Sequence, residues 1–214
     1  DGVPGYPLIE AYLTGKELKT VAEIDASVSD LMTSARLYMY GLQFTYNPHR
    51  MILNRVTDVY LLDADGNRRE LEDDKLYRVV ADLYSGQMLS EVTKTSYGLL
   101  SVVPKKADGT TIENFEDVIL TDNGGELKAW TAIAHYMESF PDENGDGIAD
   151  IPQYYAGLHE RKVVDDSSNL IKLIKNPNKY AVMIAGIVLI AILLVVLLIR
   201  LVLKLVKYRT GKSL

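Results

Sequence analysis

The stretch Asp142-Glu143-Asn144-Gly145-Asp146-Gly147-Ile148-Ala149-Asp150 sets side-chain oxygens at alternate positions, with a glycine at the sixth. That spacing suits a chain wrapped around a hard cation such as calcium, and the glycine permits the sharp turn. The twelfth position is Gln153 rather than the bidentate glutamate of a full EF-hand loop. Two readings stand: a short extracellular calcium loop with Asp142, Asn144, Asp146 and Asp150 as ligands, or a solvated acidic turn that needs no ion. The three histidines, His49, His135 and His159, lie far apart and show no Asp-x-His spacing, so they read as a turn, a helix and a linker residue rather than as metal ligands. There is no cysteine, which excludes disulfides, thiolate metal sites and a cysteine nucleophile.

The charge narrows the partners further. The chain carries 23 Lys+Arg against 29 Asp+Glu. All charges beyond residue 179 are basic (Arg200, Lys204, Lys207, Arg209 and Lys212), which leaves 18 Lys+Arg against 29 acids before them, a net of −11. A domain so acidic does not bind nucleic acid through a basic face.

Tyr180 to Ile199 is an uncharged run. As a helix rising about 1.5 Å per residue it is roughly 30 Å long, the thickness of a bilayer core. It has no polar face, so the sequence predicts a single-pass anchor, with the lipid bilayer as a partner. Lysines and arginines flank both ends in equal number, Arg161, Lys162, Lys172, Lys175 and Lys179 before and the five named above after. The tight packing of the second group favours a cytoplasmic C-terminus and a domain outside the cell membrane, and an outward-facing domain without disulfides suggests a bacterial cell surface. Lys204, Lys207 and Arg209 reach the headgroups by snorkelling. The chain starts at Asp1 with no export signal before it, and so reads as a fragment of a longer protein or as a processed one.

The elements that must position these residues follow from pattern. Residues 1–140 suffice for one core, 141–178 read as an acidic, polar stalk, 179–203 as the transmembrane helix and 204–214 as a basic tail. Leu8 to Leu13 reads as a strand, and Thr14-Gly15-Lys16-Glu17 as a capping box opening a helix through Leu18, Val21, Ala22, Ile24 and Val28. Arg36 to Tyr46, Val56 to Leu62, Leu76 to Leu83 and Leu99 to Val103 read as strands, and Ser85 to Thr93 as a short helix. Leu127, Trp130, Ile133, Ala134, Met137 and Phe140 mark one apolar face of a helix from Glu126 to Phe140. The order is that of an α+β domain.

Four segments in register then carry a resemblance: TGKELK at 14–19, GLQFTYNPHR at 41–50, NRVTDVYL at 54–61 and KLYRVVADLYSG at 75–86. Over roughly residues 4–120 the chain resembles the C-terminal, nucleoside-binding domain of the 5′-nucleotidase family, in particular its membrane-anchored bacterial bifunctional metallophosphatase/5′-nucleotidase members. The resemblance implies a partner N-terminal metallophosphatase domain that holds two divalent metals and hydrolyses nucleotide phosphate esters. None of that domain's motifs stands in this chain, which is therefore expected to be inactive alone. The resemblance also implies that the base of a nucleotide or nucleoside is gripped between two aromatic rings. The downstream ring falls on Tyr84, and Tyr6 is the aromatic nearest the upstream position at Pro4-Gly5. The other reading of Tyr84 is a core residue. Arg50 and Asn54, with Arg55, match the Pro-x-Arg and Asn-Arg-Val elements, as substrate contacts or as loop structure. The family's Gly-Gly-Asp-Gly segment is replaced here by Gln87-Met88-Leu89-Ser90. The alternative function is a membrane-tethered, non-catalytic binding or structural module.

Overall fold

The computed structural model describes residues 2–29, 36–63, 65–95 and 100–210. Strand β1 (Leu8–Thr14) alternates, burying Ile9, Ala11 and Leu13, and pairs antiparallel with β5 (Leu76–Asp82) from Leu8↔Asp82 to Thr14↔Leu76. Its last residue caps α1 (Gly15–Val28): the Thr14 hydroxyl accepts from the Glu17 N–H, and the Thr14 N–H donates to the Glu17 carboxylate at 2.8 Å. Gly15 is needed for a close approach, because a Cβ there would lie 2.3 Å from the Glu72 carbonyl oxygen. Glu17 also takes a hydrogen bond from the Val103 N–H and pairs with Lys105 at 2.6 Å. The TGKE segment is thus a structural junction where helix start, strand end and two loops meet.

Helix α1 packs against both β1 and β3 (Val56–Leu62), and it buries polar as well as apolar residues. Burial requires partners for such groups, and the two buried carboxylates of α1 have them. Glu23 accepts from Ser27 Oγ and from the backbone N–H groups of Arg55 and Val56. Asp25 accepts from the Leu37 N–H and pairs with Lys162 at 2.7 Å. The core joins Leu13, Leu18, Val21, Leu42, Phe44 and Val102.

A second sheet comprises β2 (Leu42–Tyr46), β3, β4 (Arg68–Glu70) and β8 (Lys162–Val164), in the order β4-β3-β2-β8. Strand β8 lies parallel to β2, so residues expected to form a stalk complete a sheet of the domain. Helix α2 (Leu83–Thr95) follows β5 directly. A small hairpin, β6 (Thr121–Asp122) and β7 (Gly125–Glu126), leads into α3 (Ala129–Glu138). A short α4 (Leu170–Ile174) precedes the long α5 (Lys179–Thr210).

The mixture of helices with mostly antiparallel strands agrees with the α+β expectation. Three expectations change. The strand expected at Arg36 to Tyr46 forms only over Leu42–Tyr46; Tyr38 and Tyr40 stand 90% and 86% exposed without strand partners. Leu100 lies in a turn and residues 101–103 form no strand, while Leu99 lies outside the described residues. Helix α3 exists but buries none of its residues, so its apolar face is not a core face.

Candidate functional site

The antiparallel register of β1 and β5 decides what stands at the open end of their sheet. Tyr6 lies two residues before Leu8 and Tyr84 two residues after Asp82, the last register pair. Extending the ladder therefore sets the two tyrosines opposite each other. The Leu83 N–H donating to the Pro7 carbonyl at 2.9 Å carries the pairing past the strand ends. The ring centroids of Tyr6 and Tyr84 are 5.6 Å apart, with planes tilted by 37°, and both rings are exposed, at 58% and 45%.

Each tyrosine is held by its backbone. The Tyr6 carbonyl accepts from the Ala129 N–H at 3.1 Å, and the Leu8 N–H donates to the Leu127 carbonyl at 2.8 Å. Trp130 donates its indole N–H to the Pro4 carbonyl at 3.0 Å. Gly5 has φ +107, and a Cβ on it would lie 2.9 Å from the Trp130 ring, so a glycine is required on both counts. On the other side, Asp82 accepts from the Ser85 N–H and hydroxyl, which caps the start of α2 and fixes Tyr84 in its first turn. Gly86 lets that turn sit on β1, since a Cβ there would meet Ile9 at 2.4 Å. Met88, one turn on from Tyr84 and on the same helix face, is also exposed.

Such a pair can grip a flat ring. Carbon atoms pack at about 3.5–4.0 Å, so a base between two parallel rings needs centroids roughly 7–8 Å apart. At 5.6 Å the tyrosines contact each other, and a base enters only when they part by about 1.5–2.5 Å. Side chains occupy staggered rotamers, so such a parting requires a rotamer change at one of the two exposed tyrosines.

Arg50 and Asn54 are not brought to this pair. Arg50 is 5% exposed, and its guanidinium donates to four backbone carbonyls: Asn54 at 2.6 Å, Lys172 at 2.7 Å, Lys175 at 3.0 Å and Asn176 at 3.5 Å. Asn54, 4% exposed, accepts from the Asn178 N–H at 2.9 Å. Both hold the segment leading into α5, and that engagement favours the loop-structure reading over substrate contact. Arg55 likewise donates to the Ala26 carbonyl at the end of α1.

In the acidic loop the carboxylates turn inward onto the backbone. Asp142 accepts from the N–H groups of Gly145 and Gly147, and Asp150 from those of Glu143 and Asn144. The bond from Gly147, helped by that from Gly145 and opposed by burial, holds the Asp142 carboxyl below its ordinary pKa. Among the described residues no group of three or more His, Cys, Asp or Glu is placed to share a metal ion. His49 meets Asp166 at 2.8 Å, His135 stands 3.9 Å from Asp122, and His159 stacks on Tyr154 with centroids 4.1 Å apart. The described residues therefore do not fit a two-metal phosphatase centre. Sequence reasoning missed an aromatic cluster of Tyr136, Phe140, Tyr154, Tyr155 and His159 beside this loop; the spacing of Tyr154-Tyr155 from α3 gave no signal for it.

Known proteins resemble part of the chain. Residues 5–94 match the family described as 5′-nucleotidase, C-terminal domain. That stretch contains both tyrosines. Among solved structures, the chain is similar to a 5′-nucleotidase precursor from Thermus thermophilus, at 20% identity and a TM-score of 0.46 over 75% of this chain and 25% of that one. It is also similar to the NAD nucleotidase (NadN) of Haemophilus influenzae, at 26% identity and a TM-score of 0.34 over 38% of this chain and 15% of that one. The chain thus spans a quarter or less of the solved proteins it resembles. The comparison with curated proteins finds no match.

Proposed function

We propose that this chain is the nucleoside-recognition domain and membrane anchor of a cell-surface 5′-nucleotidase-type phosphatase. The observation that carries the proposal is the exposed Tyr6–Tyr84 pair, set in register at the open end of β1 and β5 inside the family-matched stretch. In this reading the base of a nucleotide slides between the rings. The phosphate would then face a separate N-terminal metallophosphatase domain, where bound divalent metals would supply Lewis-acid chemistry. This chain's own part is to bind and orient. Helix α5 serves as a single membrane span, with the acidic domain outside and the basic tail in the cytoplasm. Its support is the helix from Lys179 to Tyr208, long and apolar enough to cross a bilayer.

The test is adenosine binding to the full chain by titration calorimetry. Base–aromatic stacking is worth about 1–3 kcal/mol, so Tyr84→Ala is expected to weaken binding roughly 5- to 150-fold. Equal affinity for both proteins contradicts the proposal. A second reading is a tethered, non-catalytic module, and the closed 5.6 Å spacing of the rings favours it. Under that reading neither protein binds adenosine.

A further inference from the structure

The first turn of α5 belongs to the core of the domain: Tyr180 and Ala181 are 4% and 6% exposed, whereas Val182 is 59% exposed. The junction is also bonded on both sides. Asn178 donates its N–H to the Asn54 side chain and its amide to the Leu53 carbonyl. Arg50 holds the carbonyls of Lys172, Lys175 and Asn176. The domain and its long helix are thus joined by a bonded, partly buried segment rather than by a free linker.

At the membrane this joint fixes a height. The apolar run of α5 begins within a residue of the domain's core, and the headgroup layer on each side of a bilayer is only about 5–7 Å thick. A helix that enters lipid at Val182 therefore sets the surrounding protein surface among headgroups, without an intervening water layer. That surface has the matching chemistry. Met51 and Ile52 are 41% and 46% exposed on the turn beside Arg50, and Leu170, Ile171 and Ile174 are more than 70% exposed on α4. Lys172, Lys175 and Lys179 are interleaved with them and exposed. Large apolar side chains mixed with lysines suit the interface of an anionic bilayer, where the apolar groups dip in and the amines meet phosphates.

We propose that the 51–52 turn and α4 form a lipid-docking surface that seats the domain on the headgroup layer at one fixed tilt. The proposal rests on the reading of α5 as a membrane span. It differs from a swinging stalk, because the orientation of the Tyr6–Tyr84 opening relative to the membrane is then set by the junction.

The chain has no cysteine, so single labels are unambiguous. The full chain is reconstituted in phosphatidylcholine vesicles containing phosphatidylglycerol. A fluorophore is attached at Ile52→Cys, or at Leu194→Cys within α5, and read with lipids spin-labelled at the headgroup or deep in the acyl chain. The expected result is quenching of the Ile52 probe by headgroup labels and of the Leu194 probe by deep labels. Adding Ile171→Glu and Ile174→Glu is expected to abolish the first effect and leave the second. A quenched Leu194 probe with an unquenched Ile52 probe overturns docking while the span stands. Ile52 quenching that survives both glutamates assigns proximity to the tether alone and also overturns docking. An unquenched Leu194 probe overturns the span and the docking together.

Discussion

Replacing Arg50 by alanine tests whether this residue is structural or belongs to a binding site. Its guanidinium makes three short bonds to carbonyls, at 2.6, 2.7 and 3.0 Å, in a nearly water-free setting. At about 1.5 kcal/mol for each bond from a charged donor, their loss amounts to roughly 4–5 kcal/mol. For a chain of this size that is a fall in Tm of about 8–20 °C. The three acceptors do not share one element: Asn54 sits in the 48–54 turn, Lys172 and Lys175 in and after α4. The damage can therefore appear first as local release of residues 165–178, which caps the global loss and exposes that segment to protease. Arg50→Lys is expected to fall between, because an ammonium is a point donor that cannot fork across three carbonyls. The assay is thermal unfolding of the full chain in detergent, with limited proteolysis mapped by mass spectrometry. A variant with unchanged Tm and unchanged cleavage, but weaker adenosine binding, would refute the structural assignment and return Arg50 to the substrate.

Four further outcomes follow from other contacts. Gly15→Ala gains at most about 1 kcal/mol in helix propensity but sets a Cβ 2.3 Å from the Glu72 carbonyl; overpacking of about 1–3 kcal/mol wins, so a rise in Tm would contradict the observed approach. Burial pushes the Glu17 carboxyl up, but bonds from Lys105, Thr14 and Val103 outweigh it and leave the pKa below 4.5. Its stabilisation is present above that value and lost as pH falls, so Glu17→Gln flattens the acid limb of the Tm–pH curve; an unchanged limb sinks the argument. Glu23 has the opposite sign, since burial raises it and stability falls as pH rises through and above 4.5. The 142–150 loop is closed by its own backbone bonds, so millimolar calcium is expected to change neither its proteolysis nor the Tm, and calcium-dependent protection would restore the cation reading.

Local signals were legible in the sequence where both partners lie close in it. The Thr14–Glu17 capping box forms as read, and β1, β3 and β5 lie within a residue of their expected ends. Long-range partners were not. Strand β8 is three residues long and pairs with β2, more than a hundred residues earlier, so no local pattern announces it. The apolar stripe of α3 gave the helix but not its covering: Trp130, Ile133 and Met137 are more than 40% exposed. Periodicity reports amphipathicity and is silent on what buries the face. Arg50 and Asn54 could be picked out by type and spacing, but their partners are backbone groups of residues 172–178, which leave no mark in sequence. The tyrosine pair was reachable only through the family resemblance. The structure adds the register that makes residues 6 and 84 neighbours.

The most direct measurement on the central claim is the proton NMR spectrum of adenosine bound to the full chain. A base held between two aromatic faces feels both ring currents, so the adenine H2 and H8 signals are expected to move upfield on binding, and the shift is expected to shrink in Tyr6→Ala and in Tyr84→Ala alike. Binding that leaves H2 and H8 unmoved, or shifts that survive both substitutions, would contradict the claim that these two tyrosines grip the base.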